Sequence, residues 1–273
     1  MKEVAIRAIS GAVYVLLLIG SLFVQEASII LIAIFGIISL SEFSNLIKLK
    51  SFIQYIIFVI IYGGFWYMCI QNTDISFNDE AIQILLVITI FVNLILIKDL
   101  FTSKRIPLFK VKRYIASTFY LSSGFVFMLL IANYNYVFTP ELLLGGFILI
   151  WVNDSAAYLV GKNFGKQKLF PSISPKKTIE GFLGGLFFAC ISSHFIANYT
   201  ETLGFTPWLI LAIVVSVLGT FGDLIESKFK RQAGVKDSGI IMPGHGGLLD
   251  RLDSIIFASP FIYLFLRIST HVS

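Results

Sequence analysis

Unbroken apolar runs, separated by short polar segments, cover the chain from one end to the other. None of the runs alternates polar and apolar residues, which excludes the two-residue period of transmembrane β-barrel strands. Runs of about 20 apolar residues cross the hydrocarbon of a bilayer as helices, because a helix satisfies its own backbone there. The pattern predicts nine such segments: 8–24, 27–47, 52–71, 81–97, 115–133, 142–160, 179–199, 206–225 and 252–269. The expected fold class is therefore all-α, a polytopic integral membrane protein. Five spans fall in residues 1–140 and four, with two polar segments, in 141–273. The sixth and eighth turn polar near Asn153–Asp154 and Gly222–Asp223, where they are expected to meet water or line a cavity.

Composition agrees with that reading. Hydrophobic residues make up 57% and charged residues 14%, against about 45–50% and about 25% in soluble domains. Every lysine and arginine except Arg267 falls at the N-terminus or in every second loop, while the opposite loops carry Glu26, Asp74, Asp79, Glu80, Glu141 and Glu201. The positive-inside rule makes the basic end cytoplasmic. The expectation is a protein of the cytoplasmic (cell inner) membrane with its N-terminus inside and its C-terminus outside. The first run lacks a small-residue cleavage site and reads as a retained anchor. Cys69 and Cys190 fall in predicted spans without ligand spacing, which predicts neither a disulfide framework nor a zinc site. Loop topology accounts for the net charge of +5, so no nucleic-acid partner is expected.

Polar chemistry concentrates in two segments of the basic end. In the first, Asp154 and Tyr158 stand four apart on one helical face. Ser174-Pro175 reads as a helix opening, with Ser174 as N-cap and Pro175 at the first helical position. That places Lys176 and Lys177 in a first turn, where the helix dipole prefers anions. Two readings follow: a phosphate bound by free N–H groups and the two ammonium groups, or lysines that serve only the charge rule. Gly181 and Gly185 predict close helix packing. The loop from Lys98 to Arg113, with Lys104 and Lys112, differs in kind. It has one acid, Asp99, and no glycine, and reads as a topology determinant touching headgroups.

The second segment runs from Asp223 to Asp253. Asp223 and Glu226 are three apart, and Asp250 and Asp253 repeat the spacing, so each pair shares a helical face. Two acidic faces meeting at the base of a bundle would suit Mg2+, which takes one or two carboxylates plus phosphates and water. Asp223 and Asp253 are the expected ligands, with Asp250 a third or a close neighbour. Salt bridging to Lys228, Lys230, Arg231 and Arg251 is the alternative. Pro243-Gly244-His245-Gly246-Gly247 predicts a non-helical turn that a ligand approaches closely or that forms an anion nest. His245 is then either a phosphate donor or acid–base group, or a loop brace.

The run Ser227-Lys228-Phe229-Lys230-Arg231, Lys236-Asp237, Ser238-Gly239 and Pro243 through Asp253 resembles the signature of the CDP-diacylglycerol synthase family, also called phosphatidate cytidylyltransferases. That signature reads Ser-x-apolar-Lys-Arg, Lys-Asp, then His-Gly-Gly-apolar-x-Asp-Arg-apolar-Asp. Met242 stands where the family has Leu, Ile or Phe. Asp154–Gly161 and Ser174–Gly181 resemble the family's other polar block, so the likeness is strong over residues 150–257 and general before them. It implies CMP transfer from CTP to phosphatidic acid, yielding CDP-diacylglycerol and pyrophosphate, with Mg2+ as cofactor, membrane lipids around it and a homodimer as its assembly. It also implies catalytic roles for Asp223, Lys230, Arg231, Lys236, Asp237, His245, Asp250, Arg251 and Asp253. Substrate binding would fall to Asp154, Ser174, Lys176, Lys177, Thr178, Gly246 and Gly247, and metal binding to Asp223, Asp250 and Asp253. An isoprenoid ether lipid phosphate as acceptor is the near alternative, since these residues meet phosphates rather than tails. A transporter is the distant one, disfavoured by charges gathered at one face and by the lack of an inverted repeat.

Overall fold

The computed structural model describes residues 2–71, 75–102 and 105–272, so Asp74 and Lys104 lie outside the described residues. Helices dominate: α1 (Lys2–Ser21), α2 (Gln25–Leu46), α3 (Ile53–Gln71) and α4 (Ile75–Phe101) come first. Next, α5 (Lys110–Ile115) passes through a π-helical stretch (Ala116–Ser122) into α6 (Ser123–Ala132). The second half holds α7 (Pro140–Phe164), a hairpin of β1 (Lys168–Phe170) and β2 (Ser174–Thr178), α8 (Ile179–Thr200), α9 (Phe205–Ala233) and α10 (Leu249–Val272). All nine predicted segments are helical. Among the described residues seven helices are long and apolar enough to cross a membrane, and Ile6–Ser21 and Ile53–Cys69 are shorter apolar helices. The chain is an all-α polytopic membrane protein. Many helices expose large apolar side chains outward, such as Leu16, Ile60, Val87 and Phe187, as a lipid-facing surface requires.

Several helices run further than the apolar pattern suggests. α9 continues past 225 because its charges find partners within reach, as Glu226 and Lys230 do one turn apart. It stops at Gly234, whose φ of +79° is left-handed. There the Gly234 N–H donates to Arg231 O and the Val235 N–H to Lys230 O, closing the helix end. α7 likewise extends to Phe164.

The segment at Ser174 corrects the sequence reading. Ser174–Thr178 is a strand, antiparallel to β1 with Lys168 opposite Thr178 and Phe170 opposite Ser174. Pairing with β1 holds this stretch extended, so α8 begins four residues later than Ser174-Pro175 suggests. Thr178 is the N-cap, its Oγ1 accepting from the Gly181 N–H at 3.1 Å. Lys176 and Lys177 therefore precede the helix and project from a hairpin.

Packing explains several glycines. A Cβ at Gly181 would stand 2.7 Å from the Ala157 carbonyl, and one at Gly185 2.7 Å from that of Asn153. These positions let α7 and α8 touch along their backbones, as small residues do in membranes. α10 lies in the middle of the bundle, against α6 and α9. At Gly124 of α6 a Cβ would meet the Ile256 carbonyl of α10 at 2.6 Å, and Ser259 donates to the Gly124 carbonyl at 2.8 Å. Gly124→Ala is expected to destabilise the protein by about 1–3 kcal/mol, the usual cost of overpacking a tight core. Thermal unfolding of the purified variant in detergent measures this, and a wild-type midpoint would refute the close contact.

Candidate functional site

The basic end of the bundle opens into a cavity of about 650 Å³ between α7, the β hairpin, α8, α9 and α10. α7 contributes Asn153, Asp154, Tyr158 and Lys162, and the hairpin contributes Lys168, Leu169, Lys176, Lys177 and Thr178. α9 adds Thr220, Asp223 and Lys230, and the α9–α10 connection with α10 adds Asp237, Asp250, Arg251 and Asp253. Residues far apart in sequence thus share one space.

Close helix approach makes this possible. A Cβ at Gly222 of α9 would lie 2.7 Å from the Asp253 carbonyl of α10. With no side chain at Gly222, α10 settles against α9 and its Asp253 comes beside Asp223. On the other wall Gly161, Gly165 and Gly181 surround Thr178, where added Cβ atoms would stand 2.7–2.9 Å from its Oγ1. The hairpin is drawn onto the α7–α8 pair, and Lys177 points at the acids.

Lys177 Nζ is 2.6 Å from Asp223 Oδ2. Burial works against that ammonium, but Asp223, with Asp154 and Asp253 beyond it, outweighs burial and raises the Lys177 pKa above the usual lysine value. The other Asp223 oxygen accepts from Ser227 Oγ at 3.2 Å. Asp253 is buried, accepts from the Ser254 N–H at 2.7 Å, and forms no ion pair among the described residues. A cation suits that pairing of carboxylates, since Lys177 already supplies one positive group to it. Among the described residues no group of three or more His, Cys, Asp or Glu side chains is arranged to hold a metal ion. Two carboxylates completed by phosphate and water oxygens are nevertheless a normal magnesium environment, so Asp223 and Asp253 fit Mg2+.

Asp250 belongs to the loop instead. Its carboxylate accepts from Lys230 Nζ at 2.7 Å, from the Gly247 N–H at 2.8 Å and from the Ser238 N–H at 3.0 Å. Those three donors hold Asp250 as a brace of the turn, which matches the close-neighbour reading of it beside Asp223 and Asp253. Lys230 is similarly committed, gripping Asp250 and Glu226 at once. Salt bridging within the segment, the alternative raised from the spacing, describes this half of it.

Several residues named from the sequence stand off the cavity wall. Arg231 points the other way, its Nε donating to Ile173 O and its Nη1 to Val235 O. It lines a separate space of about 370 Å³ with Arg105, Ser172 and Lys228. Lys228 is buried and donates to the carbonyls of Asp99 and Thr102 at 2.5 and 2.6 Å, where the end of α4 favours a cation. Lys236 is exposed, and Ser174 pairs with Phe170 in the hairpin without lining the cavity. Gly246 and Gly247 shape the turn: Gly246 has φ +89°, and a Cβ there would stand 2.6 Å from Asp250 Oδ2. His245 braces the loop onto α1, its Nδ1 2.8 Å from Ser10 Oγ. Burial, with Arg251 and Arg7 nearby, lowers its pKa below the usual histidine value and favours the neutral ring. Any stability from that clasp is present above the unfolded histidine pKa and is lost as pH falls through the lowered value.

A family model for the cytidylyltransferase family matches residues 5–269. The chain belongs to that family. A phosphatidate cytidylyltransferase of Staphylococcus aureus (strain COL) is 48% identical over 126 residues, covering 45% of this chain and 48% of that protein. One from Bacillus subtilis (strain 168) is 47% identical over 122 residues, covering 44% and 45%. The chain thus spans about half the length of the curated relatives it matches. Lys168 and Lys162 are members of the cavity that spacing did not single out, because only the hairpin and the length of α7 turn them toward the acids.

Proposed function

We propose that this protein transfers CMP from CTP to phosphatidic acid, forming CDP-diacylglycerol and pyrophosphate, at the cytoplasmic face of the membrane. The observation that carries the reading is the cavity itself, where aspartates of α7, α9 and α10 face lysines of the hairpin. The near relatives named as phosphatidate cytidylyltransferases support it. In the reaction an oxygen of the phosphatidate phosphate bonds to the α-phosphorus of CTP. The bond from that phosphorus to the bridging oxygen breaks, and pyrophosphate leaves with the electron pair. Both reactants are polyanions, so positioning and charge neutralisation carry most of the catalysis. Lys168, Lys176 and Arg251 face the cavity and meet the phosphates. Lys177 turns from Asp223 to a phosphate as substrate enters. Asp223 and Asp253 hold Mg2+, which when bound supplies charge neutralisation on the phosphate oxygens. Tyr158, Leu169 and Phe182 on the wall offer apolar surface beside the headgroup, so the lipid reaches the site by lifting its phosphate to the interface.

A cysteine probe tests site and orientation together. Lys162 is exposed and lines the cavity without a part in holding the phosphates. Lys162→Cys, in a background lacking Cys69 and Cys190, should react with membrane-impermeant thiol reagents only from the cytoplasmic side. CTP should slow the reaction and ATP should not. Labelling from the outside, or indifference to CTP, contradicts the proposal.

A further inference from the structure

Glu42 of α2 is 4% exposed and has no ion-pair partner among the described residues. A buried carboxylate without a counter-charge is costly unless donors surround it. Three do, and all come from the connection into α10. Glu42 Oε2 accepts from Ser238 Oγ at 3.1 Å and from the Leu249 N–H at 2.8 Å, and Oε1 accepts from the Leu248 N–H at 3.1 Å. The two backbone donors are at the start of α10, where unpaired N–H groups and the helix dipole favour an anion.

Two glycines make room for the carboxylate. A Cβ at Gly239 would stand 2.3 Å from Glu42 Oε1, with only Glu42 atoms as its nearest neighbours, and one at Gly247 would stand 2.5 Å from Glu42 Oε2. Asp250 grips the same turn from the other side, through the Ser238 and Gly247 N–H groups. Ser238 is therefore held by Glu42 at its hydroxyl and by Asp250 at its amide.

We infer that Glu42 is a positioning residue: it anchors the connection and the first turn of α10, and so sets where Asp253 and Arg251 stand in the cavity. No atom of Glu42 lines the cavity; its influence passes through the backbone it holds. For turnover this inference rests on the CMP-transfer reading above, whereas the anchoring stands independently of it.

Glu42→Gln puts an amide NH2 against backbone N–H donors, so at least one of the three bonds is lost. Hydrogen exchange on the substrate-free protein in nanodiscs should show the amide of Leu248, of Leu249 or of both exchanging faster by about tenfold or more, as loss of a hydrogen bond to a charged acceptor implies. The amides of α6 should be unchanged. Turnover should fall by a similar factor while the KM for CTP stays within about threefold, the pattern of a group that orders the reacting geometry. Should Glu42→Gln fail to fold, Gly239→Ala gives the same reading by crowding the carboxylate without removing it. The loss it causes should shrink in the Glu42→Asp background, where the shorter side chain leaves space, a coupling that only direct contact produces. Wild-type exchange at Leu248 and Leu249, wild-type turnover despite faster exchange, or strict additivity of Gly239→Ala and Glu42→Asp would each overturn the inference. If the wild-type protein shows no CTP-dependent turnover of phosphatidate, the function reading fails and exchange alone decides the anchoring.

Discussion

Asp253→Asn is expected to reduce turnover at least about a hundredfold, the scale on which removing one preorganised electrostatic group slows an enzyme. The substitution keeps size and the bond from the Ser254 N–H while removing charge where α10 meets α9. Asp223→Asn should do the same, with an added effect: Asp223 is the main support for the Lys177 charge, so that lysine loses its partner as well. Circular dichroism and thermal unfolding should stay close to wild type, because both groups face the cavity rather than the bundle core. Near-normal turnover in either variant at low magnesium concentration would remove Asp223 and Asp253 as metal ligands.

Lys177→Ala should lower kcat/KM for CTP by about tenfold or more, since a charge-assisted hydrogen bond contributes about 1.5–3 kcal/mol. Lys112→Ala is the matched control. That lysine pairs with Asp99 at 2.7 Å, carries the same charge at the same end of the bundle, and does not line the cavity. Its removal should leave turnover within about twofold of wild type, because an ion pair outside the site contributes about 1 kcal/mol or less and contributes it to folding. Steady-state kinetics on the two variants decides the matter. Equal losses would mean that the basic end acts through net charge, with no phosphate-specific place for Lys177.

What the sequence disclosed follows from what physics leaves open. An unbroken apolar run in a bilayer has one backbone solution, so helices α2, α4 and α7 through α10 were readable from hydropathy. Their ends were less so: α9 keeps its helix through Lys228 and Lys230 because acids and carbonyls within reach satisfy both ammonium groups. The hairpin is not legible in the sequence because Ser174-Pro175 matches a helix start, and only pairing with β1 shows the stretch to be extended. The acids of the cavity were visible through their three-residue spacing, but spacing alone did not separate Asp253, which forms no ion pair among the described residues, from Asp250, which lines the same cavity but is held by Lys230 and the loop amides. Glu42 is not legible from the sequence because its partners lie about two hundred residues away. Its only local sign is a charge inside an apolar run, where ionisable groups are costly to keep.

The most direct measurement is the fate of CTP labelled at the α-phosphorus, incubated with phosphatidate and the purified protein. With magnesium present the label should move into lipid in equal amount to the pyrophosphate released, and chelation of divalent ions should stop both. Label released only as free CMP, or no transfer to lipid with magnesium present, would contradict the account.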